Sequence, residues 1–155
     1  MTLSSHESQL DDVILTFNEL CRQLGIRATH QRAEIFRELV KSQEHPDAKT
    51  IYLRVRKRIP TISFDTVYRN LRLLEKQGAI LRIGAGVETM RFDAVTAPHH
   101  HFICRRCGKI LDIYWDEWNN LQRPPGIDEL GSVESIHVEV RGLCADCLKD
   151  QAKPQ

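Results

Sequence analysis

The sequence predicts an α+β protein in two parts, an N-terminal winged helix-turn-helix domain and a small C-terminal α/β dimerisation domain. Three observations predict it. Through the first half, apolar residues recur at three- and four-residue spacing behind side chains able to cap helices. Two short strand-like runs, "AILRIG" and "ETMRFDA", follow the last of those helices. Beyond residue 92 the pattern changes to strands that carry two Cys-x-x-Cys pairs.

Each element has a local reason. Leu10, Val13, Ile14, Phe17, Leu20, Cys21 and Leu24 mark one apolar helix face, closed by Gly25. Cys21 belongs to that face and reads as a small buried hydrophobe. Thr29 caps a second helix whose apolar face includes Ile35, Phe36, Leu39 and Val40. Asp47 caps a third, "AKTIYLRVRKR", which stops before Pro60. Ser63 caps "FDTVYRNLRLLEKQ", with Phe64, Val67, Leu71 and Leu74 facing inward and Gly78 ending it. The hairpin turns through "AGV". Residues 1–91 form this first domain and 92–98 a hinge. Residues 99–155 form the second, with strands "HHFIC", "KILDIYW" and "ESIHVEVRGL" and a helix, "DEWNNLQ", ending at Pro124-Pro125. So small a second domain calls for a metal staple or a dimer interface.

With 155 residues, 41% hydrophobic and 28% charged, the composition is that of a globular protein. No apolar run approaches the roughly eighteen residues of a spanning helix. The start, "MTLSSHESQLDD", has no basic region followed by an apolar one, so a cytoplasmic protein is expected. The net charge of +1 hides an asymmetry. Residues 1–91 hold 15 Lys and Arg against 11 Asp and Glu, and residues 92–155 hold 7 against 10. The basic half is the one suited to a polyanion.

The five cysteines are Cys21 and two pairs, Cys104/Cys107 and Cys144/Cys147, with 36 residues between the pairs. In a reducing compartment this reads as metal binding rather than a disulfide framework. Two pairs of thiolates complete a tetrahedral Zn²⁺ site with no open position, which makes it structural. Strand alternation then places His99 and His101 on the face opposite Cys104. On the next strand Ile110, Asp112 and Tyr114 share a face, and an acid among apolar neighbours needs a partner. His99, His101 and Asp112 therefore make a second, N/O-ligated metal site, suited to Fe²⁺ or Mn²⁺ as well as Zn²⁺.

The fourth helix presents Asp65, Thr66, Arg69, Asn70 and Arg72 outward, with Tyr68 at the edge of its apolar stripe. Arg and Asn can read guanine and adenine edges in a major groove. "RVRKR" (Arg54, Arg56, Lys57, Arg58) supplies charge for phosphates. The DNA-contacting set is Arg56, Ser63, Thr66, Tyr68, Arg69, Asn70 and Arg72. An enzyme is not expected, because no H-E-x-x-H or other catalytic zinc signature occurs.

The motifs "GIRATHQRAEIFRELV", "EHPDAKTIY", "SFDTVYRNLRLLEKQGAI", "RFD", "HHHFICRRCGKILDI" and "VEVRGLCADC" together resemble the ferric uptake regulator family of metal-dependent bacterial repressors, over nearly the whole chain. The resemblance implies a cytoplasmic homodimer that binds a palindromic double-stranded operator, holding Zn²⁺ structurally and Fe²⁺ or Mn²⁺ as the regulatory ion. It implies regulatory ligands at His45, Asp93, His99, His101 and Asp112, of which His45 and Asp93 are not selected by spacing. Iron-uptake members usually carry Glu at the place of Asp112, and peroxide-responsive members carry Asp. The resemblance therefore favours a peroxide sensor in which His45 or His99 is oxidised; the alternative is an iron- or zinc-responsive uptake repressor. His30 replaces a frequent Pro. Ile136 stands where other branches place a ligand histidine, and His137 beside it is expected to face away. His6 and His100 have no metal role.

Overall fold

The computed structural model describes residues 4–84 and 89–151, with side chains from Val13 onward. The expected "AGV" turn, Glu88, and the side chains of His6 and Leu10 lie outside the described residues. The chain divides into two compact units, residues 1–96 and 97–155.

In the first unit, α1 (Ser4–Gln23), α2 (His30–Lys41), α3 (Ala48–Arg56) and α4 (Phe64–Lys76) precede an antiparallel pair, β1 (Leu81–Ile83) and β2 (Arg91–Asp93). The helix starts are set by short polar side chains three residues ahead of an orphan N–H. Thr29 Oγ1 accepts from Arg32 N at 3.3 Å, Asp47 Oδ1 from Thr50 N at 2.7 Å and Ser63 Oγ from Thr66 N at 3.1 Å. Gly25 and Gly78 end α1 and α4 at φ 66° and 73°, a conformation that costs glycine nothing. Ile26 N and Ala79 N then reach back to Cys21 O and Leu74 O, at 3.0 and 2.9 Å.

The apolar faces meet in one core that includes Phe17, Cys21, Ile35, Leu39, Ile51, Val67, Leu71 and Phe92. Phe17 and Phe36 pack with ring centroids 4.9 Å apart. Two expected core residues are not inside. Val40 is 44% exposed and Phe64 is 45% exposed. Each sits at one end of its helix, where periodicity gives the face but not whether a neighbour extends far enough to cover it. Buried charge is present too. Arg58 joins Glu34 and Glu38 of α2, and Arg37 Nη1 reaches Glu34 at 3.0 Å.

In the second unit, β3 (His100–Cys104) is central, antiparallel to β4 (Ile110–Ile113) and parallel to β5 (Glu139–Gly142). Between β4 and β5 lie a short helix α5 (Asp116–Asn119) and a single 3₁₀ turn at Ile127–Glu129. Helix α6 (Ala145–Gln151) follows β5. A buried cluster in this unit is formed by Cys104, Cys144 and Cys147, with Phe102 and Leu143 packed against it. Ile103 and Ile110 are also buried in this unit.

Several elements are shorter than the pattern predicts. The run expected as strand from Glu134 pairs only at Glu139–Gly142, so His137 lies outside any strand and is exposed. Helix α5 stops at Asn119, five residues before Pro124, and Leu121 beyond it is exposed. Among the described residues, no helix is long and apolar enough to cross a membrane.

Candidate functional site

The four paired cysteines converge. Zn–S bonds of about 2.3 Å in a tetrahedron set neighbouring sulfurs about 3.8 Å apart. Cys107 Sγ and Cys144 Sγ are 3.7 Å apart, and the four sulfurs lie within 4.8 Å of one another. The two knuckles are built by backbone bonds, Gly108 N to Cys104 O and Leu148 N to Cys144 O, both at 2.9 Å, and Arg105 N to Gly142 O at 2.8 Å ties them together. Arg106 Nη1 donates to Cys147 O at 3.0 Å and Lys109 Nζ pairs with Asp146 Oδ2 at 3.2 Å, fastening one knuckle to the other. Backbone N–H donors at Cys107 and Cys144 pull the Cys104 thiol down to about 6, while burial pushes Cys147 up to about 12. Four sulfurs at these spacings fit a closed Zn²⁺ site.

On the other face of β3, His99 Nε2 and His101 Nε2 lie 3.7 and 3.6 Å from Asp112 Oδ1. Asp112 is directly opposite His101 in the β3–β4 ladder, which is why alternation brings them together. Tetrahedral ligands about 2.0–2.2 Å from an ion stand about 3.3–3.6 Å apart, so donors at 3.6 and 3.7 Å need shift only about a tenth of an ångström to share one ion. His99 Nδ1 is 2.8 Å from Ala97 O, an acceptor only, so the proton sits on Nδ1 and the Nε2 lone pair is left for metal. Both imidazoles are buried, at 2% and 7% exposure. Asp112, expected among apolar neighbours, instead keeps 25% of its side chain accessible. It stands on an edge strand, so only β3 covers it.

In the first unit His45 Nε2 is 3.4 Å from Asp93 Oδ2, a spacing that again fits two ligands of one ion. The segment before α3 lies against β2: Phe92 N donates to Pro46 O at 3.1 Å, Asp47 bridges to Arg91, and Arg91 Nη1 donates to His45 O at 3.4 Å. His45 has φ 49°, the only described non-glycine residue with positive φ. Such a backbone conformation at a residue with ligand chemistry is typical of functional positions.

The residues expected on DNA lie on α4 or beside it, but they are not equivalent. Arg69 is exposed and pairs with Asp65 at 2.9 Å; exposed Arg72 has its Nε 3.9 Å from Glu75 Oε2. Tyr68 stacks on Phe64, centroids 6.3 Å apart, and Phe64 meets Tyr52 edge-on at 5.7 Å. Arg56 lies over the Tyr52 ring at 5.7 Å and donates to its hydroxyl. Ser63 and Thr66 are joined to each other at the cap. Asn70 is turned inward. Its Oδ1 accepts from Arg32 Nε at 2.9 Å and its Nδ2 donates to Thr66 O at 2.8 Å. Within "RVRKR", Arg58 is likewise committed to Glu34 and Glu38, and Arg54 to Ser42 and Glu44, because acidic partners from α2 and the following loop lie within reach.

Two residues beyond the predicted set enter this picture. Tyr114 stacks on His99, centroids 5.6 Å apart, and its hydroxyl donates to Asp112 Oδ2 at 3.4 Å; the shared face of Asp112 and Tyr114 was its signal. Arg91 had none. His100, left without a metal role, is a structural residue. Its Nδ1 accepts from Val138 N at 3.1 Å and its ring meets Trp118 edge-on; burial lowers its pKa.

Against known proteins, the family model described as "Ferric uptake regulator family" matches residues 23–140. The peroxide operon regulator of Bacillus subtilis (strain 168) is 36% identical over 142 residues, covering 86% of this chain and 92% of that protein. The peroxide-responsive repressor PerR of Staphylococcus aureus (strain Mu50) is 35% identical over 145 residues, covering 94% and 95%. A solved zinc uptake regulator complexed with zinc and DNA shares the fold, with TM-score 0.69 and 22% identity over 93% of this chain and 98% of that one. With the family model spanning most of its length and curated relatives above 30% identity, the chain belongs to the ferric uptake regulator family.

Proposed function

We propose that the protein is a metal-dependent transcriptional repressor that senses hydrogen peroxide. The observation that carries the reading is the pair of preformed donor sets. His45 and Asp93 stand at ion-ligand spacing in one unit, and His99, His101 and Asp112 do so in the other. One Fe²⁺ or Mn²⁺ taking ligands from both would fix residues 1–91 relative to 99–155 across the segment 92–98. Ion binding and DNA affinity are then two readings of one equilibrium.

Residues 1–91 act as a winged helix-turn-helix, with α4 in the major groove and β1–β2 as the wing. Exposed Arg69 and Arg72 support contact with bases, and Arg56 with phosphate; the α4 cap residues Ser63 and Thr66 and the Tyr68 ring border the same surface. Residues 99–155 act as the dimerisation unit. Their exposed Leu111, Trp115, Leu121, Leu130 and Ile136 support burial against a second copy. A two-fold dimer reads a palindromic operator. The relatives' regulatory roles support a cytoplasmic, non-enzymatic protein.

The cysteine site holds Zn²⁺ for structure. Asp at position 112 and the two peroxide-responsive relatives favour peroxide sensing over iron or zinc uptake control. Bound Fe²⁺ supplies the redox chemistry by which peroxide transfers one oxygen to a ligand imidazole, His45 or His99, the other oxygen leaving as water. The modified ring is a poor ligand, so the dimer opens and the operator is released.

Mass spectrometry of the Fe²⁺-loaded dimer before and after micromolar-range peroxide tests this. A one-oxygen gain on His45 or His99, matched by loss of operator binding and absent with Mn²⁺, is expected. Asp112→Glu should keep iron-dependent DNA binding and slow the oxidation. Oxygen confined to Cys104, Cys107, Cys144 or Cys147 would make it a thiol sensor, and an unmodified, DNA-bound Fe²⁺ form would make it an uptake repressor.

A further inference from the structure

The two oxygens of Asp112 are in different employment. Oδ1 faces both imidazoles, at 3.7 and 3.6 Å from His99 Nε2 and His101 Nε2. Oδ2 accepts the Tyr114 hydroxyl at 3.4 Å. The same tyrosine lies nearly parallel to the His99 ring, with centroids 5.6 Å apart and planes at 25°. Tyr114 is thus attached to two of the three donors of this unit, while 65% of it remains exposed. A phenol O–H directed at one carboxylate oxygen competes with a metal for that oxygen's lone pair and favours one rotation of the group.

We propose that Tyr114 is a positioning residue of the regulatory site, holding Asp112 so that it offers one oxygen rather than two to the bound ion. The inference rests on the metal-binding reading above and assigns a cause to its reactivity. A carboxylate that gives both oxygens fills two coordination positions; one restrained to Oδ1 leaves the second for a small oxidant. The Asp112 side chain keeps 25% of its surface accessible, so a small oxidant in solvent can reach this side of the donors. Tyr114 therefore exchanges some metal affinity for access by peroxide, and it does so through Asp112 without touching the ion.

The test is Tyr114→Phe in the full-length protein with its thiolate site filled by zinc. Phenylalanine keeps the ring against His99 and removes only the hydroxyl. Three quantities are compared with the parent: the thermal midpoint, the Mn²⁺ affinity by direct titration, and the rate of histidine oxygen gain with Fe²⁺ and peroxide. The expected result is an unchanged midpoint and Mn²⁺ bound roughly three- to tenfold more tightly, the range of one ordinary net hydrogen bond. Oxidation should slow by a similar factor. Tighter binding with slower oxidation is a combination that mere loosening of the site does not give. Unchanged values for both overturn the proposal, as does weaker Mn²⁺ binding. Oxygen gain on Tyr114 itself in the parent also overturns it, since the residue would then be a target. If no parent histidine is oxidised, the peroxide reading falls while the Mn²⁺ titration still decides the role of Tyr114.

Discussion

Arg32 Nε donates to Asn70 Oδ1 at 2.9 Å, tying the first turn of α2 to the middle of α4 across 38 residues of sequence. Arg32 Nη1 also holds Arg27 O at 2.6 Å, and Asn70 Nδ2 holds Thr66 O at 2.8 Å. The tilt of α4 is therefore fixed by polar bonds as well as by its apolar face.

For operator binding this separates two kinds of α4 variant. Arg69→Ala should lower specific binding by about 1–3 kcal/mol, the worth of one base-edge contact, with an unchanged melt. Asn70→Ala should instead lower the thermal midpoint first, by the equivalent of about 1 kcal/mol, with affinity following as α4 loosens. Arg56→Ala should weaken all DNA alike and reduce the salt dependence. Gel-shift titrations on specific and scrambled duplexes at two salt concentrations, beside melts, check all three. Loss of base selectivity in Asn70→Ala at full stability would return that residue to the DNA surface.

In the second unit, Cys104→Ser or Cys144→Ser should remove the zinc and unfold residues 97–155. Cys104, Cys144 and Cys147 are buried together there, and metal binding in small zinc modules supplies about 10–16 kcal/mol of folding free energy. Zinc stoichiometry and near-ultraviolet dichroism measure it. A folded, zinc-free Cys104→Ser protein would show that the sheet holds itself together.

Acid stability should report on Glu34. Burial alone would raise its carboxyl, but the hydrogen bond and charge of Arg58, with Arg37, outweigh burial and leave it below its ordinary value. A depressed folded-state value gives stability that is fully present above the unfolded carboxylate range and lost as pH falls through the folded value. The first unit's midpoint should thus drop on acidification below about pH 4, and Glu34→Gln should flatten that drop. Arg58→Ala removes the partner of buried Glu38 and leaves Glu34 with Arg37 alone. Its cost should lie at the low end of about 3–5 kcal/mol, because Arg58 is 36% exposed and partly screened. A pH-independent midpoint in the parent would contradict this account.

What the sequence determined by itself was whatever depends on neighbours a few residues apart. Thr29, Asp47 and Ser63 cap their helices because a short oxygen reaches an N–H three residues on, whatever surrounds it. Cysteine pairs two residues apart make knuckles, and strand alternation sends His99 and His101 to the face away from Cys104. The tertiary structure decided what depends on distant partners. Asn70 and Arg58 look outward-facing by period, yet turn to Arg32 and to Glu34 and Glu38 because α2 packs alongside. Val40 and Phe64 carry the right period and stay exposed, since a repeat specifies a face without specifying how far its cover extends. His45 meets Asp93 only because the residues before α3 are bonded to β2, and no local pattern in either segment encodes that contact.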